Sequence, residues 1–162
     1  MRMENLRRVY ADLGFEEVET LLQSGNVVFR SDGLTSLELE SMLQDETAKR
    51  LGITGSTIVR TSAEWLDVIE QNPFLEAVAA DPSHVLVHFM NAAPLAFDVD
   101  RVQGGIAGPE EIRIGRKHLY VFYRNGIGTS TIARTPGWNR LTSGSTARNW
   151  NTILKLNSLI RE

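Results

Sequence analysis

The chain has 162 residues, 42% apolar and 23% charged, with no cysteine and a formal net charge of −3. A chain of that length buries about 70% of its unfolded surface, enough for one domain or two small lobes without a staple. The lack of cysteine excludes a disulfide scaffold, a Cys-type zinc site, an iron–sulfur cluster and a thiol nucleophile. No apolar run nears the ~18 residues of a transmembrane helix, and Met1 to Glu17 lack a signal-peptide core; the expectation is a soluble cytoplasmic protein with no membrane partner.

Met3, Leu6, Val9, Tyr10 and Leu13 recur at helical spacing, with Gly14 as a stop. Val18–Leu22 and Val27–Arg30 read as a hairpin turning at Ser24-Gly25, in a register that sets Leu22 against Val27 and Glu19 against Arg30. Thr35-Ser36-Leu37-Glu38 is a capping box that opens a helix carrying Leu39, Met42, Leu43 and Leu51 and closed by Gly52. Thr57–Arg60 reads as a short strand. A second capping box, Thr61 to Glu64, starts a helix carrying Trp65, Leu66 and Ile69 as far as the Asn72-Pro73 breaker. His84–Met90 is apolar almost throughout, as a buried strand should be. Leu95–Val102 reads as a helix with Pro94 in its first turn, and Gly104, Gly105 and Gly108 as a loop. Ile112–Ile114 and His118–Tyr123 form a second predicted hairpin, turning at Arg116-Lys117. Arg124–Ser145, with four glycines and Pro136, reads mainly as loop with a short helix. Thr146 is expected to cap a last helix whose buried stripe is Trp150, Ile153, Leu154 and Ile160.

One strand placed ahead of Met1 would complete a β-α-β-β-α-β first half, and the second half from His84 reads β-α-β-β-α. The predicted fold class is α+β, with two ferredoxin-like halves at 1–61 and 62–162 and the first missing its opening strand.

Charge is unevenly distributed. From Arg101 to Glu162 there are ten basic and three acidic residues, net +7, whereas residues 1–100 carry net −10. Either a basic face attracts phosphates or nucleic acid, or the two halves attract each other within one fold. Metal chemistry has little footing. His84 and His88 stand roughly 13 Å apart along a strand and cannot share an ion, and His118 lies in a different element. There is no Gly-x-Ser-x-Gly elbow. The carboxylate pairs Glu16-Glu17, Glu38/Glu40 and Glu110-Glu111 read as solvated surface.

Anion binding has the best local support. Gly126-Ile127-Gly128-Thr129-Ser130-Thr131 follows a strand, so its N–H groups and hydroxyls can cradle an anion, or it is a tight turn needing positive φ. It lacks the lysine of a Walker motif and the third glycine of the dinucleotide fingerprint. In Ser143 to Thr152, an open helix N-terminus and Arg148, Thr152 and Lys155 on one face favour a phosphate or carboxylate. The alternative is that Thr146 caps, Trp150 packs and Arg148 pairs with an acid of the first half. Gln23 and Asn26, flanking the first hairpin turn, are a secondary candidate pair. Tyr120, Phe122 and Tyr123 alternate faces without an RNP-type run and read as packing.

Leu21 to Phe29, Asn72-Pro73-Phe74, Asn125-Gly126-Ile127-Gly128 and Thr146 to Thr152, in that order, resemble a bacterial family of uncharacterised proteins, domain of unknown function 1697. The resemblance spans nearly the whole chain. It implies two ferredoxin-like lobes and no established activity. Family members usually open with a strand and an Arg-Gly-containing segment, whereas this chain starts at the Met3 helix. Either it begins at an internal methionine, it was cut, or its lineage lost the strand. The family also tends to place basic residues just after the Gly-x-Gly turn, where this chain has Thr129-Ser130-Thr131.

The leading expectation is a noncatalytic, cofactor-free module that binds a nucleotide or nucleic acid through Arg124, Gly126, Gly128, Thr146, Arg148, Thr152 and Lys155. One alternative is an enzyme acting on a small phosphorylated or carboxylated metabolite, with Arg148 positioning it and a first-half carboxylate as base. Another is a protein-interaction domain in which a partner or second copy adds a strand at an open edge.

Overall fold

The structure, a computed structural model, describes residues 2–21 and 24–160. Its elements run α1 (Met3–Asp12), β1 (Glu16–Leu21), β2 (Asn26–Arg30), α2 (Ser36–Leu51), α3 (Ser62–Glu70), α4 (Leu75–Ala80), β3 (Val85–Phe89), α5 (Ala96–Gly105), β4 (Glu111–Ile114), β5 (His118–Phe122), α6 (Trp138–Leu141), β6 (Thr146–Asn149) and α7 (Trp150–Leu159). Short 3-10 turns occupy Pro82–His84 and Ile132–Arg134. The fold is α+β with two small antiparallel sheets. The chain divides into two compact units, Met1–Ser62 with Lys155–Glu162, and Ala63–Leu154. No helix among the described residues is long and apolar enough to cross a membrane.

In the first unit α1 and α2 pack on the β1-β2 ribbon. Leu6, Tyr10, Val18, Leu39 and Leu43 are its buried core, with Val27, Phe29 and Val59 packed against it. The Tyr10 ring meets Phe29 edge-on at 5.2 Å, and burial pushes its hydroxyl up to about 12. The first capping box forms as expected: the Thr35 hydroxyl accepts from the Glu38 N–H at 3.2 Å, and the Glu38 carboxylate accepts from the Thr35 N–H at 2.8 Å. Gly52 closes α2 with φ 68.

Two expectations fail here. The ribbon pairs Glu16 with Arg30, Glu19 with Val28, Thr20 with Val27 and Leu21 with Asn26, so Glu19 does not face Arg30. An irregularity between Glu16 and Glu19, with Glu17 at φ 51, absorbs extra chain and displaces the register. Arg30 meets Glu17 instead, at 3.7 Å. Leu22 lies outside the described residues. Thr57–Arg60, moreover, is not a strand. Its Thr57 and Val59 N–H groups donate to side chains of α2, Gln44 Oε1 at 3.2 Å and Glu40 Oε1 at 3.0 Å, rather than to a neighbouring strand. The buried Glu40 also faces Arg60 at 3.9 Å.

The second unit is built on a four-stranded antiparallel sheet in the order β4-β5-β3-β6. β3 is buried along its whole length, as its apolar run predicts. Leu86, Leu119, Val121 and Ile112 face a core shared with Val99 and Val102 of α5, Ile132, and Trp138 of α6. On the other face Trp65 of α3 stacks on Phe89 at 5.0 Å and donates to the Ile153 carbonyl at 3.2 Å. The Tyr120 hydroxyl donates to the Val68 carbonyl at 2.7 Å.

Three further expectations are corrected, and one helix is added. α5 runs on through Gly104 and Gly105. α4 follows the Asn72-Pro73 breaker, where the Asn72 side chain accepts from the Phe74 N–H at 2.9 Å. Thr146 does not cap a helix: it opens β6, which pairs with β3, and the cap of α7 is Asn149, whose Oδ1 accepts from the Thr152 N–H at 3.0 Å. Leu154 is exposed and Ile160 lies past the end of α7, while Leu156 is buried.

Candidate functional site

The glycine turn after β5 is held by its own polar groups. Gly126 has φ +83 and its N–H donates to the Tyr123 carbonyl at 2.9 Å, a conformation that disfavours any side chain. The Thr129 hydroxyl donates to the Asn125 carbonyl at 2.9 Å. The Ser130 hydroxyl donates to Glu110 Oε1 at 2.5 Å and accepts from the Ile132 N–H at 3.2 Å. Glu110 is buried rather than solvated as expected, and its second oxygen is without a hydrogen-bond partner among the described residues. Burial, with Glu110 adding to it, pushes the Tyr123 hydroxyl up to about 12. An anion entering this turn would face a buried carboxylate. Gly128 has open space around it. Arg124 is engaged by Glu111 at 2.9 Å and lies over the Phe122 ring at 4.9 Å.

Arg148 sits on β6 opposite Val87. It is half-buried, donates to the Thr146 hydroxyl at 2.7 Å and to the Ala147 carbonyl at 2.8 Å, and burial lowers its pKa. β5 and β6 flank β3 on opposite sides, and Arg124 lies beyond the Phe122–Val85 pair. The two arginines therefore stand on different segments with different partners, Glu111 for Arg124 and Thr146 with Ala147 for Arg148. Thr152 is buried on α7, and Lys155 is exposed on the same helix but belongs to the first unit. Of the secondary pair, Gln23 lies outside the described residues. Asn26 is buried, and its amide donates to the Leu21 carbonyl and the Ser24 hydroxyl, both at 2.9 Å, bonds that shape the turn.

The histidines remain apart. His84 meets Asp81 at 3.3 Å, and the Ser83 side chain and N–H hold the Asp81 carboxyl below its usual range. His88 lies edge-on to Trp138 at 5.3 Å, and burial pushes it down to about 4. His118 packs against Tyr120 at 4.9 Å on the opposite sheet face. No group of three His, Cys, Asp or Glu side chains among the described residues could hold a metal ion.

A different basic set emerges on the layer formed by α5, residues 132–134 and α6. These elements share the core of Val99, Val102, Ile132, Trp138 and Leu141. A Cβ built at Gly137 would lie 3.2 Å from Val102, and one at Gly105 would lie 3.5 Å from Thr135, so the layer is close-packed. Arg101, Arg134 and Arg140, one on each of these elements, are exposed. None of the three has an ion-pair partner among the described residues. Three other arginines of this unit do: Arg113 and Arg124 pair with Glu111 at 3.4 and 2.9 Å, and Arg116 with Asp67 at 3.9 Å. The +7 segment contained this signal, but sequence order does not reveal which base meets which acid.

A family model described as "Protein of unknown function (DUF1697)" matches residues 1–120. The solved structure of the conserved bacterial protein SP0830 from Streptococcus pneumoniae is similar to this chain, with a TM-score of 0.73 and 18% identity. The match covers 99% of this chain and 89% of that one. Likeness at that identity concerns the fold alone. No match was found among curated proteins.

Proposed function

The chain belongs to the DUF1697 family of proteins of unknown function, and we propose that it is a noncatalytic module that binds the phosphate backbone of a nucleic acid. The observation that carries this reading is the trio Arg101, Arg134 and Arg140, exposed on one helical layer and without acid partners among the described residues. A spread of separate guanidinium groups suits a chain of phosphates better than a single nucleotide. The glycine turn, its hydroxyls committed to Asn125 and Glu110, is a structural support in this reading. A binding role also fits the cause of the raised tyrosines and the lowered His88, which is burial among core side chains first of all. The strand order of the second unit supports reading it as a ferredoxin-like half.

The test is fluorescence anisotropy with labelled DNA at low salt. Arg101→Glu, Arg134→Glu and Arg140→Glu together should abolish binding, whereas Arg113→Glu with Arg124→Glu should weaken it much less. Arg148→Ala and Lys155→Ala report on the set first expected from sequence. Equal losses in the two arginine sets would refute the assignment.

A second reading rests on β2. β1 is guarded by Glu16, Glu17, Glu19 and its irregularity, whereas β2 presents Val27, Val28 and Phe29. Among the described residues these three make no backbone hydrogen bond beyond the ladder with β1. Such an edge accepts a strand from a second polypeptide. Light scattering that gives a monomer at every concentration would remove self-pairing from consideration.

A further inference from the structure

We infer that the nucleic acid is single-stranded, and that one of its bases stacks on Phe97; this rests on the reading just given.

Phe97, in the first turn of α5, is 72% exposed, and Leu95 immediately before the helix is 67% exposed. α5 is otherwise an amphipathic helix that buries Val99 and Val102 against the sheet. Phe97 contributes nothing to that core, so its ring is a flat apolar face presented to solvent. Arg101 stands four residues further on, so the two side chains share one face, about 6 Å apart along the axis. Gly104 comes next on this face, and a Cβ there would meet nothing within 4 Å, so the approach past Arg101 is open. Arg134 and Arg140 extend the positive charge onto the two adjoining elements.

The combination of ring and guanidinium groups discriminates between nucleic-acid forms. In a duplex every base face is already stacked on its neighbours, so an exposed ring has nothing to receive. A single strand offers free base faces together with phosphates, and base–aromatic stacking on a basic track is the usual mode for such ligands. The acids of α5 fit the same arrangement. Asp100 is exposed and Asp98 half-buried beside Phe97. Carboxylates there disfavour phosphates near Phe97 but accept hydrogen bonds from the exocyclic amines of a base. Bases therefore lie toward Phe97, and phosphates toward Arg101, Arg134 and Arg140.

Anisotropy titrations with fluorescein-labelled oligodeoxycytidylate, and with its duplex, separate the possibilities. Wild type should prefer the single strand. Phe97→Ala should lower single-strand affinity by roughly fivefold to a hundredfold and change duplex affinity by less than about twofold. Phe97→Trp should retain binding, and its added indole fluorescence should be quenched by the single strand. Because Phe97 is exposed, both variants should keep the wild-type circular dichroism and melting point. If Phe97→Ala leaves single-strand affinity unchanged while the triple arginine variant abolishes it, stacking is wrong and the phosphate-binding reading stands. If neither DNA form binds wild type at low salt, both are wrong.

Discussion

His88 gives the sharpest stability prediction, because its environment has one dominant feature. It is 8% exposed in β3, edge-on to the Trp138 ring, and its Nε2 is without a hydrogen-bond partner among the described residues. The charged ring would be desolvated and its Nε2 proton left without an acceptor, so burial pushes the pKa from 6.5 down to about 4. The unfolded chain takes up the proton near 6.5 and the folded chain only near 4. Stability is therefore fully present above pH 6.5, falls as pH drops through this window, and levels off below it. The linkage is worth about 2 kcal/mol by pH 5 and about 3 kcal/mol once both states are protonated. Urea unfolding between pH 7 and pH 4, compared with His88→Phe, isolates this group, since the carboxylates titrate alike in both proteins. The difference in unfolding free energy should shrink for wild type relative to the variant by those amounts. A pH-independent difference would refute the assignment of His88 as a buried neutral imidazole.

Three further outcomes follow from particular contacts. Asn149→Ala should cost about 1 kcal/mol and lower amide protection at Thr152, whereas Thr146→Ala should leave that amide protected, as checked by hydrogen exchange. Gly137→Ala should cost more than about 1 kcal/mol in chemical denaturation, because φ there is +88 and the new Cβ would press on Val102. Tyr120→Phe should cost about 1 to 2 kcal/mol in the same assay by leaving the Val68 carbonyl unpaired in the core.

What was legible in the sequence was what local chemistry decides. Thr35 and Glu38 cap each other within four residues, Gly52 supplies the left-handed stop, and the apolar run of β3 needs no context to be recognised. What stayed hidden depends on partners distant in sequence. Thr146-Ala147-Arg148-Asn149 has neither alternation nor β-branched content beyond Thr146, and it becomes a strand because β3 offers an edge to pair with. Thr57–Arg60 shows the converse. Its composition suits a strand, yet Glu40 and Gln44 of α2 take up two of its N–H groups. The same limit governs the site. The basic excess after Arg101 was plain, but Arg113 and Arg124 are held by Glu111 in their own segment, and only the packing of α5 and α6 reveals which arginines remain unpaired.

The salt dependence of single-strand binding tests the central claim most directly. Three phosphate contacts through Arg101, Arg134 and Arg140 should give a slope of log affinity against log salt of about −2. Replacing all three by alanine should bring the slope close to zero. A wild-type affinity that does not respond to salt, or a slope that survives the triple replacement, would contradict the account.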